Sequence, residues 1–153
     1  MGFNVAGKRI RRTDKAAKRF KARIQEITYR SRGVSMSQRI KELNQFCTGY
    51  FHYFKIGLSY AEVLQWDQWI RRRIRLCHWK DWRIPRARRR NLIQLGISKD
   101  EVKLASRSRK GYWRMSQNSL VRWAFNNQYL EELGVPSMRD MWVVFKYGEK
   151  AQL

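Results

Sequence analysis

Residues 63–79 read Val63-Leu64-Gln65-Trp66-Asp67-Gln68-Trp69-Ile70-Arg71-Arg72-Arg73-Ile74-Arg75-Leu76-Cys77-His78-Trp79, and the period of the apolar residues in this stretch decides the fold. Val63, Trp66, Ile70, Ile74 and Cys77 recur at the spacing that places them on one face of an α-helix. The pattern predicts a helix starting near Ser59. Pro85 is expected to end it, because proline has no amide to donate and pushes its predecessor out of the helical region. The arginines between the apolar positions present guanidinium groups on other faces. Such groups bind phosphate bidentately and stack on bases, which points to a nucleic acid, RNA in particular.

Working outward, Phe3, Val5 and Ile10 alternate weakly around Gly7, as in a short strand or hairpin over residues 1–12. Thr13 or Asp14 can cap a helix running to about Arg30, with Phe20, Ile24 and Ile27 as its buried stripe. Lys15, Lys18, Arg19, Lys21 and Arg23 occupy its other faces. Ser35 or Ser37 caps a second helix, with Ile40 and Leu43 inward. The aromatic run Phe46, Tyr50, Phe51, Tyr53 and Phe54 marks a segment buried on more than one side.

Beyond Pro85, a short basic helix is expected from Arg86 to Leu95, stopped by Gly96. Ser98 and Glu101 suit a capping box for the next. One last helix is expected from about Ser116 to Leu133, with Leu120, Trp123, Ala124, Asn127 and Leu130 along one face, closed by Gly134 and Pro136. The tail Trp142-Val143-Val144-Phe145 fits a short strand or a helical turn equally. The architecture expected is all-α: a bundle of about six helices with a short N-terminal strand or hairpin remnant over residues 1–12, a helical bundle over 13–84, and a second helical region with the tail over 85–153.

The chain has 153 residues, 34 Lys plus Arg against 12 Asp plus Glu, and a formal net charge of +22. Such a field attracts polyanions. Hydrophobic residues make up 43% and aromatics 14%, so a core is available and the charge is not the mark of a disordered tail. No segment approaches the ~20 apolar residues of a membrane span, and the N-terminus has no apolar run of signal-peptide length. A membrane partner is not expected, since the basic residues ring several helices instead of one stripe.

Cys47 and Cys77 sit inside helical patterns and read as small buried hydrophobes in a reducing compartment. A zinc site would need Cys47, His52, Cys77 and His78. Adjacent positions on a helix point about 100° apart, so Cys77 and His78 make a poor ligand pair. Neither a metal nor a cofactor is expected.

The basic clusters nominate an RNA-binding set: Arg71, Arg72, Arg73 and Arg75, then Lys80, Arg83, Arg86, Arg88, Arg89 and Arg90, then Arg107, Arg109 and Lys110. Trp79, Trp82 and Trp113, flanked by cations, are candidates for stacking on unpaired bases, with core packing as the alternative for each. Trp66 and Trp123 read as core. Asp67 lies near the apolar seam, where a lone carboxylate serves best as a polar anchor for Arg71 or a backbone amide. No partner acid or histidine accompanies it as catalysis would require.

Several segments are familiar in order. Leu43-Asn44-Gln45-Phe46 and Gly49-Tyr50-Phe51-His52-Tyr53-Phe54 resemble the "LNpxxxGWxxYF" signature of the maturase-specific region of group II intron reverse transcriptases, with Gln45 and Tyr50 replacing the usual proline and tryptophan. Asp67-x-Trp69-Ile70-Arg71-Arg72-Arg73-Ile74-Arg75 with Trp79-Lys80 is similar to that family's basic helix. Leu95-Gly96-Ile97 with Ser108-Arg109-Lys110-Gly111-Tyr112-Trp113, and Ala124-Phe125-Asn126-Asn127-x-Tyr129-Leu130, resemble its later segments. Gly2-Phe3 resembles the end of its palm-exit strand.

The resemblance, over about residues 20 to 135, implies a thumb with parallel helices plus maturase (domain X) helices. It further implies structural roles for Asn44, Gly49, Tyr50, Phe54, Asp67 and Trp69. The partners implied are group II intron RNA, a template–primer duplex and the fingers and palm of a reverse transcriptase, in a bacterial cytoplasm or an organelle. No Tyr-x-Asp-Asp motif occurs, so the chain alone is expected to be no enzyme. Two alternatives remain: a detached non-catalytic thumb fragment of an RNA-directed DNA polymerase, or a basic structural component of a ribonucleoprotein. Seven tryptophans are unusual for the latter.

Overall fold

The computed structural model describes residues 2–7 and 9–148, so the outermost positions of the expected strand remnant and tail, Met1 and 149–153, lie outside the described residues. Strands β1 (Phe3–Ala6) and β2 (Arg9–Arg12) pair antiparallel, Phe3 opposite Arg12, and form the expected hairpin. The rest is helical: α1 (Asp14–Ile27), α2 (Met36–Phe54) with a 3-10 turn at Lys55–Gly57, α3 (Tyr60–Asp81), α4 (Pro85–Gln94), α5 (Lys99–Ser106), α6 (Tyr112–Met115), α7 (Ser119–Ala124), α8 (Asn127–Glu132) and α9 (Met138–Tyr147).

The first helices begin where local chemistry directs. Thr13 Oγ1 accepts the Ala16 amide at 3.2 Å and Ser35 Oγ the Gln38 amide at 3.1 Å. Ser59 and Glu62 close a full capping box on α3. Arg12 reaches the same corner: its guanidinium lies over the Trp66 ring at 4.4 Å and contacts Glu62 at 2.5 Å, tying the hairpin to α3. Gly57 makes that fit possible, since a Cβ there would stand 2.9 Å from the Arg12 nitrogen.

Helix α3 is central, packing against α9, α6 and α7, while α4 packs against α5. Phe20, Tyr50 and Trp66 pack with ring centroids 4.2–5.7 Å apart at one end of the core, Phe20 stacked on Trp66 and Tyr50 edge-on to it. Trp79, Leu92, Ile97 and Phe125 continue the same cluster at the other end, across the turn at residues 82–84. Each such side chain contributes about 1.5–3 kcal/mol by leaving water.

Four expectations change. About six helices become nine among the described residues, because the single helix expected over 116–133 is two short ones, α6 precedes them and the tail forms α9. Asn118 and Asn126 restart the chain there, their side chains accepting the Leu120 and Tyr129 amides at 3.0 and 2.9 Å. Helix α3 stops at Asp81, ahead of Pro85, which instead opens α4 at its first position, where its missing amide costs nothing. Trp123 is 57% exposed and not core, while Trp79 is fully enclosed and cannot meet a base. Ser98 donates to the Glu101 carboxylate at 2.7 Å but accepts no backbone amide, so the expected capping box is not made. The tail segment, open between strand and helix, lies in α9.

Candidate nucleic-acid interface

Helix α3 points its arginines in different directions. Arg73 donates to Thr28 Oγ1 at 2.5 Å and toward the Gln25 and Thr28 carbonyls at 3.4 Å, at the end of α1. Arg75 is buried; it donates to the Phe125 carbonyl at 2.8 Å and Asn127 Oδ1 at 3.4 Å, at the end of α7. Arg72 lies on the Trp113 ring, 3.5 Å from its centroid, and donates to the Trp113 carbonyl at 3.1 Å. Arg88 of α4 is buried over Trp79 and donates to the Trp82 carbonyl at 2.7 Å, just past α3. Arg39 of α2, a residue the charge clusters did not nominate, is the most enclosed. Its Nη1 serves the Ile27 and Tyr29 carbonyls at 2.9 and 2.8 Å.

These inward arginines share one partner type. They answer carbonyls at helix C-termini, where unpaired oxygens and the helix dipole favour a cation. A chain with few acids thereby holds guanidinium groups inside without carboxylates. Among the described residues the ion pairs lie elsewhere: Arg12–Glu62, Arg23–Glu26, Arg32–Glu42 and Arg139–Asp140.

The remaining nominees face solvent. Arg83, Arg86, Arg89 and Arg90 are exposed around α4, Arg107, Arg109 and Lys110 in the loop after α5, and Lys80 is half-buried. Trp113 is 40% exposed, its ring shared with Arg72, and Trp82 is half-buried against Phe125. Exposed Lys15, Lys18, Arg19, Lys21 and Arg23 make α1 a further basic face. Arg19 and Arg23 border a groove floored by Phe20, Phe46, Tyr50 and Phe54.

A second grouping was not legible as a cluster in the sequence. Arg71, Arg72 and Arg75 of α3 converge with Arg122 of α7 on a cleft of about 390 Å³, with Gln68 and Asn127 in its walls. Burial first, then repulsion from Arg71 and Arg122, brings the Arg75 guanidinium down to about 10, still a cation at neutral pH. Burial also lowers Arg72 and Arg73.

The motif residues divide as well. Asn44 donates to the Ile40 carbonyl at 3.1 Å and to the Gly134 carbonyl, joining α2 to the turn after α8. Gly134 adopts φ +89°, which favours glycine there. Tyr50 and Phe54 pack 4.4 Å apart, and Phe54 carries Phe3 of the hairpin. Trp69 is half-buried beneath Arg73. Gly49 is exposed with open space where a side chain would stand, so nothing around it requires glycine.

Asp67 is an anchor for backbone amides, not for Arg71. Its carboxylate accepts the Met138 and Arg139 amides, both at 2.9 Å, and the Ser137 hydroxyl at 3.2 Å. Burial raises its carboxyl, and those amides and the Arg71 charge pull it back.

Cys47 and Cys77 are free and buried, burial pushing the Cys47 thiol up to about 12. Among the described residues no cluster of His, Cys, Asp or Glu could hold a metal, and no helix is long and apolar enough to cross a membrane.

A comparison with curated proteins returned no match. The family profile "Group II intron, maturase-specific domain" matches residues 17–96, which takes in most of α1 and all of α2 through α4, with the Asn44–Phe54 segment and the arginine helix. The segments Ser108–Trp113 and Ala124–Leu130 lie beyond that match. It covers more than half of the chain, and this protein therefore belongs to the group II intron maturase-specific domain family.

Proposed function

We propose that the chain is the RNA-binding maturase part of a group II intron-encoded protein, holding folded intron RNA in its splicing-competent form while the RNA carries out the chemistry. The observation that supports this most is the excess of cations without acidic partners, facing solvent on α1, α4 and the loop after α5. Arg83, Arg86, Arg89, Arg90, Arg107, Arg109 and Lys110 are assigned to phosphates, with Lys80 beside them, and the exposed edge of Trp113 to an unpaired base. Arg73 and Arg88 act from inside by holding helix ends in register. The chain carries no catalytic constellation of its own in this reading, and its setting is a bacterial cytoplasm or an organelle.

A salt-titrated binding assay tests this with folded group II intron RNA, length-matched duplex DNA and unstructured RNA. Preference for the intron that survives raised salt is expected. Equal binding to all three, vanishing with salt, would leave only a basic polyanion-binding surface, as in a structural ribonucleoprotein component.

A second reading is compatible: the same helices serve as a reverse transcriptase thumb gripping template–primer. It is favoured by exposed apolar residues around the hairpin, Val5, Ile10, Tyr53 and Ile56, which suit a covering neighbour such as a palm. Mixing the chain with the fingers and palm of such an enzyme is expected to restore primer extension. No gain over the fingers and palm alone would sink the thumb role.

A further inference from the structure

The cleft between α3 and the α6–α8 segment differs in kind from the basic faces around it. It is concave, near the small end of ligand pockets, and no carboxylate lines it. Two of its four arginines are fixed in advance. Arg75 is held by Phe125 and Asn127, and Arg72 by the Trp113 carbonyl and Ser116 Oγ, the latter at 3.3 Å. Arg72 sits over Trp113, its guanidinium carbon 3.5 Å from the ring centroid, and also lines the cleft. Arg71 and Arg122 have no ion pair among the described residues. Gln68, Gln117 and Asn127 add amide groups that both donate and accept.

Four like charges around one hollow repel each other, and after burial the charges of Arg71 and Arg122 lower Arg75 further. An anion would reverse that cost. A planar ring could stack on Arg72, because bases stack on guanidinium planes. A duplex cannot enter a hollow of this size.

We propose that this cleft takes one unpaired nucleotide turned out of a folded RNA. Its phosphate sits among Arg71, Arg75 and Arg122, its base lies on Arg72, and the amides of Gln68, Gln117 and Asn127 meet its polar edge. The proposal rests on the RNA-binding reading above and adds to it the feature of the RNA that is recognised. It also brings in residues outside the basic clusters, Gln68, Gln117, Arg122 and Asn127.

The test uses the full chain and two RNA hairpins, identical except that one carries a single bulged adenosine. Binding is measured at matched salt for the parent, Arg122→Gln, Arg71→Gln and, as a control on another face, Arg90→Gln. The parent is expected to bind the bulged hairpin about tenfold more tightly. Arg122→Gln and Arg71→Gln are expected to bring that ratio close to unity, whereas Arg90→Gln weakens both hairpins alike and preserves it. Unchanged thermal melting of each variant separates loss of contact from loss of fold; Arg122 is exposed, so its replacement leaves the core intact. Equal affinity of the parent for both hairpins overturns the proposal while leaving the RNA-binding reading standing. So does a ratio that Arg122→Gln and Arg71→Gln leave unchanged. Binding to neither hairpin removes both.

Discussion

The carboxylate of Asp67, in the middle of α3, accepts the backbone amide of Met138 at 2.9 Å and so caps a helix 71 residues further along the chain. With Arg139 and Ser137 also donating, one buried side chain terminates α9 on the central helix. Asp67→Ala is expected to cost about 3 kcal/mol of stability, because it strands amides as well as deleting their acceptor. Asp67→Asn, which keeps one acceptor oxygen, is expected to lose about half as much. Urea unfolding measures both, and a loss within error for the alanine variant would refute the anchor.

Arg39 binds the end of α1 as Asp67 binds the start of α9. Replacing it with leucine leaves the Ile27 and Tyr29 carbonyls without their donor and is expected to cost about 2–3 kcal/mol. Arg39→Lys should recover part of this, since an ammonium is a point donor that cannot match the fork of the guanidinium. Equal stability of the leucine variant and the parent in chemical denaturation would count against this role.

His78 is buried against Phe125, its Nε2 without a partner, and burial first and the Arg39 charge second hold it down at about 4. Its ordinary value is 6.5, so between these limits the unfolded chain binds a proton that the folded chain refuses. Stability therefore falls as pH drops from 6.5 toward 4, by up to about 3 kcal/mol from this group, and levels off below. His78→Phe keeps the stacking and removes the proton site. The difference between variant and parent should grow through that window, and a constant difference from pH 7 to pH 4 would show that His78 is not buried neutral.

Arg88 and Arg90 lie two residues apart on α4 and are expected to fail in opposite ways. Arg88→Ala removes the cation over Trp79 and the donor to Trp82, at about 2–3 kcal/mol, and shows as a lowered melting temperature. Arg90→Ala should melt like the parent but reduce the log–log salt slope of duplex binding by about 0.9, one phosphate contact. The same effect from both substitutions would mean that inside and outside are misassigned on this helix.

The sequence carried α1, α2 and α3 plainly, because their apolar stripes and their Thr13, Ser35 and Ser59 caps agree. It was less readable where short helices follow one another: the face Leu120, Trp123, Ala124, Asn127, Leu130 imitates one long helix. The signal against that reading was a pair of asparagines, Asn118 and Asn126, which are better caps than interior residues. For α9, local pattern could not choose between strand and helix. Ser137 caps the helix locally, its hydroxyl accepting the Asp140 amide at 3.2 Å, and Asp67, distant in sequence, adds the Met138 and Arg139 amides.

The arginines were visible as charge but not as direction. An acceptor carbonyl at a helix end is present in every helix and leaves no mark in the sequence. Arg75 and Arg88 therefore looked like their exposed neighbours, and the convergence of Arg122 with Arg71 depended on how α7 lies across α3.

The pairing of internal arginines with carbonyls also separates two responses to ions. Dipoles of buried peptide groups attract no counterions that dissolved salt could replace, whereas contacts to phosphate are displaced by salt step by step. Concentrated salt should therefore strip adhering nucleic acid from this protein and leave it folded, giving a clean preparation whose affinity returns on dilution.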